Sequence, residues 1–241
     1  MSRCELIWKL CVSILANLLI FNFLRIGFYR LLSGYRISWK AKIGWGGLLV
    51  ASKVCIDDFA SIQSFVVIMD CKNFRMQKGS RLYRFFFCKG VRLFSLGENS
   101  LVGVASRCIG RFKDRQSLNI HSGGRLVIGK DSVITQKHLF DMSGSILIGE
   151  NVVIGGENSL FYTHSYDCFR NFSYGNIILQ NDIYIGAKVL CLPGVKIASS
   201  IVIGAGAVIS KSLLESGIYV GNPILKKSNE PKSKRSFVKK Y

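Results

Sequence analysis

The segment LQNDIYIGAKVLCLPGVKIASSIVIGAGAVIS, residues 179–210, places an aliphatic or thiol side chain at every sixth position: Leu179, Ile185, Cys191, Ile197, Ile203 and Ile209. Four residues after each of the first five stands a second apolar residue: Ile183, Val189, Val195, Ile201 and Ala207. Neither the helical period of about 3.6 nor simple strand alternation produces this spacing. A period of six, with Gly or Ala often beside the aliphatic residue, predicts a hexapeptide parallel β-helix in which each hexad makes one short strand and a tight corner. A single rung cannot bury its own face, so rungs must stack.

Earlier fragments extend the pattern toward the N-terminus: Ile37/Ile43/Leu49, Ile56/Ile62/Ile68, Leu96/Val102, then residues 128–133 and 148–155. Between positions 74 and 89 the period is lost among basic and aromatic residues, which predicts loops or irregular coils there. Roughly three quarters of the chain therefore reads as an all-β solenoid. The period does not give the hand of the coil, because ordinary parallel crossovers are right-handed.

At 241 residues and 49% hydrophobic composition, the chain has ample material for one core. The expected divisions are a hydrophobic N-terminal helix in 1–34, the solenoid in 35–212 with a loop insertion at 161–176, and a closing segment with a basic tail in 213–241. Eight cysteines are present and no two form a C-x-x-C pair. Cys191 holds a core hexad position, so buried free thiols in a reducing cytoplasm are expected.

Residues 10–24 are apolar apart from Ser13, Asn17 and Asn22, and Lys9, Arg25 and Arg30 bracket or follow them. The run is shorter than the roughly twenty residues needed to span a bilayer as a helix. No small-residue cleavage site follows it. Trp8, Phe21, Phe23, Phe28 and Tyr29 among basic residues suit a helix lying on the inner face of the cytoplasmic membrane. The alternative is a helix packed on the solenoid or at a subunit interface. A net charge of +19 would draw anionic lipid, nucleotide-like cofactors or acidic glycans. Nucleic acid is not an expected partner, because the basic residues are spread over loops and no nucleic-acid module is present.

Of three histidines, His121, His138 and His164, the last stands in a polar and aromatic segment where the hexad run breaks before resuming near Ile177. An insertion in a solenoid projects as a loop, and loops carry function. A neutral imidazole can accept a hydroxyl proton near neutral pH. Asp167, three residues on, is a candidate to orient its other nitrogen. Separations of 17 and 26 between the three histidines do not resemble the closely spaced ligand pair of a zinc hydratase, and no metal is expected.

Tyr162-Thr163-His164-Ser165-Tyr166-Asp167 resembles the T-H-x-x-D loop of the maltose, galactoside and nodulation O-acetyltransferases. Asn181 to Ala187, Pro193 to Ile197, Ile203 to Lys211 and Val220 to Lys226 are similar, in order, to that family's N-x-W-I-G, P-G-V-x-I-G, I-G-A-G-S-V-V-x-K-D and G-N-P-A-K motifs. The resemblance covers roughly residues 128–227 and implies a left-handed β-helix, a homotrimer, and acetyl-CoA as donor in sites between subunits. It implies that His164 is the catalytic base, that Ala187, Gly204 and Ala205 lie beside the pantetheine arm, and that Lys211, Pro223 and Lys226 lie near the phosphates and adenosine. Gln136, Asp141 and Tyr162 are the candidate acceptor-binding residues. Tyr184 stands where the family usually has Trp, and Ala198 where it has Gly. The implied reaction is O-acetylation of a sugar hydroxyl in a bacterial surface polysaccharide or its lipid-linked precursor. N-acylation of a nucleotide-linked amino sugar and a non-catalytic β-helix scaffold are the alternatives.

Overall fold

Three ladders of inward side chains run the length of the molecule in a computed structural model that describes residues 2–110 and 124–228. On one face Ile37, Ile56, Met76, Leu96, Ile128, Ile148, Leu179 and Ile197 follow one another in parallel register. On a second, the ladder is Ile43, Ile62, Leu82, Val102, Ile134, Ile154, Ile185 and Ile203. On the third it is Ile68, Cys88, Cys108, Phe140, Phe161, Cys191 and Ile209. All of them are buried, so the hexad residues form one continuous interior of a parallel β-solenoid. An antiparallel pair, Gly217–Val220 with Leu225–Ser228, closes the last coil.

The coils expected to be irregular between 74 and 89 are regular. Arg81–Leu82 and Phe87–Lys89 pair with the strands before and after them. Met76, Leu82 and Cys88 keep the spacing of six, and the period is obscured because eight positions separate Ile68 from Met76 and Cys88 from Leu96, and because aromatic and thiol side chains replace aliphatic ones. Phe74 stacks on Phe94 at 5.2 Å and Phe86 packs against the same ring at 5.5 Å, filling the interior that Ile and Val fill elsewhere. The cysteines also depart from expectation. Cys71, Cys88, Cys108 and Cys191 are buried free thiols, whereas Cys4, Cys11 and Cys168 are exposed and Cys55 is half-buried.

The N-terminal segment forms two helices rather than one: α1 (Arg3–Ala16) and α2 (Asn22–Ser33). The three polar residues that interrupt the apolar run dock the pair onto the first coil. Ser13 Oγ accepts from Leu49 N–H at 2.8 Å and shares a hydrogen bond with Tyr29. Asn17 Nδ2 donates to Gly47 O, and Asn22 exchanges hydrogen bonds with Ala41 O and Ile43 N–H. Lys9, only 6% exposed, donates to the carbonyls of Ala51 and Ser52. Val12, Ala16, Ile26 and Tyr29 join the solenoid core, so one face of the helical pair is the cap of the coil. Ile14, Leu15, Leu18, Ile20, Phe21 and Phe23 on the other side are exposed. No helix among the described residues is long and apolar enough to cross a membrane.

Candidate active site

Between Phe161 and Ile177 the chain leaves the wall as an antiparallel hairpin, His164–Tyr166 with Phe172–Tyr174. Its base is fixed by the coil below. Leu139 and Phe140 lie in parallel register under Leu160 and Phe161, which brings Asp141 beneath the turn into the hairpin. Asp141 Oδ2 accepts from Thr163 N–H at 3.0 Å and lies 2.7 Å from His164 Nδ1. The Thr163 hydroxyl accepts from Gly144 N–H and lies 2.8 Å from both Asp141 O and Oδ2. Ser143 Oγ donates to Asp141 Oδ1 at 3.0 Å.

Burial pushes the Asp141 carboxyl up, but hydrogen bonds from His164 and Thr163 outweigh it and hold the group below the ordinary carboxylate range. An ionised carboxylate can only accept, so Nδ1 of His164 carries the hydrogen and the lone pair of the neutral ring lies on Nε2. The ring is held on its faces and edge as well: Phe172 stacks on it at 5.7 Å, and Tyr162 and Tyr166 meet it edge-on at 6.4 and 5.9 Å. A half-buried imidazole with a fixed tautomer can take a proton from a hydroxyl and return it.

Asp167 does not orient His164. It folds the hairpin tip, accepting from Asn171 Nδ2 at 2.7 Å and from the N–H groups of Asn171 and Phe169, and these bonds lower its pKa. The carboxylate three residues away is drawn into the turn; the one a coil below meets the imidazole. His138 is a core residue: Ser159 N–H donates to Nδ1 and Thr135 Oγ1 lies 2.9 Å from Nε2, while burial lowers its pKa to about 4. His121 lies outside the described residues.

No protein-family model matches the chain. YvoF of Bacillus subtilis, whose acetyltransferase name is provisional, is 28% identical over 102 residues, covering 42% of this chain and 58% of that protein. The galactoside O-acetyltransferase of Escherichia coli K12 is 25% identical over 125 residues, covering 51% and 61%. The chain is similar in sequence to these acetyltransferases. It spans about half to three fifths of the length of these relatives. Among solved structures, the hexapeptide-repeat acetyltransferase VCA0836 of Vibrio cholerae, crystallised with acetyl coenzyme A, aligns with a TM-score of 0.47 and 15% identity over 94% of this chain and 88% of that one.

The other residues that the acetyltransferase motifs pick out are distributed along the last coils. Ala187 lies at a corner where Gly156, one coil earlier, has φ +67° and would bring an added Cβ within 2.4 Å of the Ala187 methyl. A Cβ on Gly186 would meet Ala205 N at 2.6 Å, so this edge admits only small residues. Ala205 is exposed on it, and Gly204 is half-buried against Val220. Lys211 and Pro223 are exposed. Lys226 pairs with Glu215 at 2.6 Å, and that hydrogen bond raises its pKa. Tyr162 joins His164 and Asp141, whereas Gln136 is exposed on the second face, paired with Glu157. Among the described residues no group of His, Cys, Asp and Glu could hold a metal ion.

Proposed function

We propose that the protein is an O-acetyltransferase that moves an acetyl group from acetyl-CoA to a sugar hydroxyl of a bacterial surface polysaccharide or its lipid-linked precursor. The observation that carries this reading is the His164–Asp141 pair at 2.7 Å on a hairpin projecting from a hexad coil. His164 Nε2 accepts the proton of the acceptor hydroxyl, Asp141 holds Nδ1–H and balances the charge of the imidazolium, and hydrogen bonds from His164 and Thr163 keep Asp141 ionised. Acetyl-CoA supplies the thioester: its carbonyl takes the hydroxyl oxygen, and its sulfur leaves as the thiol with the proton that His164 carried. The small-residue edge at Ala187 and Ala205 suits a narrow pantetheine arm, with Gly204 beside it and Lys211, Pro223 and Lys226 toward the phosphates and adenosine. Tyr162 flanks the acceptor, and Gln136 contacts it from a neighbouring subunit or coil.

The left hand of the coil and the homotrimer belong to the same reading, which rests for them on the relation to the hexapeptide-repeat enzymes; sedimentation at three times the chain mass is the expected result. The exposed apolar side of α1 and α2 supports an acceptor held at a membrane. The deciding experiment is His164→Ala, which should lower acetyl transfer by about two to four orders of magnitude, the range for loss of a general base. Its thermal midpoint and affinity for CoA should be unchanged. Wild-type turnover in the purified variant removes the assignment.

A further inference from the structure

We propose that the cavity between α2 and the first three coils binds the phosphate group of an amphiphile, whose apolar chain lies on the exposed surface beside it. The cavity measures about 550 Å³, and Asn22, Arg25, Lys42, Ser64, Arg84 and Phe85 are among its walls. Three cations line it, and among the described residues no acidic side chain does. None of the three is in an ion pair among the described residues.

Arg25 is the most informative of them. It is 7% exposed, gives Nη1 to the carbonyls of Leu19 and Ile20 and Nη2 to that of Ile43, and leaves Nε buried without a partner among the described residues. All three acceptors are neutral. A guanidinium held out of water with no counter-charge is costly, and a nearby anion lowers that cost. Arginine with lysine at hand is the combination that phosphate groups select.

The apolar half of the ligand is argued from the corner beside the cavity. Phe65 and Phe85 hold the corner position whose left-handed φ recurs at Ala105, Lys137, Asn158 and Lys188 on later coils, and both rings are exposed. The two rings stack at 5.5 Å, and Trp45 meets Phe65 edge-on at 5.9 Å. Trp45 Nε1 then donates to Asn17 O, at the start of the link in which Leu18 and Ile20 are 76% and 83% exposed. The carbonyls of that link are the ones Arg25 holds. An inorganic anion would answer only the charge, and a neutral lipid only the apolar surface.

Two sources share this chemistry: a bilayer phospholipid and a polyprenyl phosphate carrying the acceptor sugar. The second rests on the proposed acceptor and fits the spacing. From the Ile68 rung beside the cavity to the Phe161 rung below His164 there are four ladder steps. At about 4.8 Å each, that is roughly 19 Å along the axis, a span for an oligosaccharide rather than one sugar.

Titration calorimetry without any acyl donor tests the site. Decyl phosphate should bind at least tenfold more tightly than inorganic phosphate or decyl glucoside. The double variant Lys42→Gln/Arg84→Gln, at two exposed positions, should lose at least tenfold for decyl phosphate, keep its thermal midpoint and leave decyl glucoside unchanged. Competition then assigns the source: displacement by phosphatidylglycerol vesicles points to the bilayer, and displacement by polyprenyl phosphate in neutral vesicles points to the acceptor carrier. Equal binding of decyl phosphate by the double variant, equal binding of the glucoside, or displacement by neither lipid overturns the proposal. Acetyl transfer that survives His164→Ala would strike the catalytic reading and leave this one standing.

Discussion

At the scale of single residues, the candidate site depends on which atom of His164 bears the hydrogen. In Asp141→Asn the amide oxygen takes the place of Oδ2, which serves both Thr163 N–H and His164 Nδ1–H, and the amide nitrogen faces Ser143 Oγ. The tautomer is then kept, and what is lost is the negative charge that balances the imidazolium. Turnover should fall by roughly 10- to 100-fold, since a hydrogen bond to a charged group contributes about 1.5–3 kcal/mol, with KM and thermal midpoint little changed. Asp167→Asn should cost less than about threefold, because that carboxylate serves the hairpin tip; steady-state kinetics on the two variants compares them directly. His138 gives a prediction of another kind. Its folded pKa is about 4 and its ordinary value 6.5, so the unfolded chain binds the proton more tightly. The stability this lends is complete above pH 6.5 and is lost as pH falls toward 4, by an amount on the order of 3 kcal/mol. Denaturant unfolding at pH 7.5, 5.5 and 4.5 should show a shallower acid loss in His138→Gln than in the wild type.

At the scale of elements, legibility followed what the period could carry. A repeat of six over 179–210 assigned every buried apolar side chain there, because each inward residue has the same job on each coil. Phe86 and Cys88 do that job at the same offsets but with aromatic and thiol side chains, so the pattern faded while the coil persisted. The hairpin was marked by the break in period around His164. Its partner Asp141 was named from the sequence only as an acceptor ligand, since contact between them is set by stacking of one coil on the next and not by spacing along the chain. A coil length near 20 residues, applied from Asp141, would have pointed to it. For α1 and α2, hydropathy showed an apolar run but not that Ser13, Asn17 and Asn22 are its docking groups. The helical pair should therefore be part of the folding unit. Lys9→Ala leaves the carbonyls of Ala51 and Ser52 without their donor and should lower stability by about 2–4 kcal/mol in chemical denaturation. A loss under 0.5 kcal/mol would mean the helices are appended to the solenoid rather than built into it.

At the scale of the whole molecule, the two sides of the helical pair make different demands. The inner side closes the core, so cutting away residues 1–34 would uncover Tyr35, Leu49 and Ala51 and confuse loss of a membrane contact with loss of the fold. The outer side can be changed alone. Leu18, Ile20 and Phe21 are 76%, 83% and 61% exposed in the link between the helices, and Arg3, Arg30 and Arg36 are exposed nearby in the chain. Burying three such side chains in an acyl boundary contributes roughly 1.5–3 kcal/mol each at most, and each basic residue near an acidic surface about 1 kcal/mol. The first contribution is indifferent to salt, and the second fades as the Debye length shortens from about 10 Å at 0.1 M to 3 Å at 1 M. The full chain should therefore co-sediment with anionic vesicles more strongly than with neutral ones, and the difference should shrink as salt rises. Leu18→Ser/Ile20→Ser/Phe21→Ser should bind both kinds of vesicle at least tenfold more weakly while unfolding at the wild-type temperature. Undiminished binding by that folded variant would assign the outer side of the helices to contact between subunits, and sedimentation of the same variant as a smaller species would then be the result to expect.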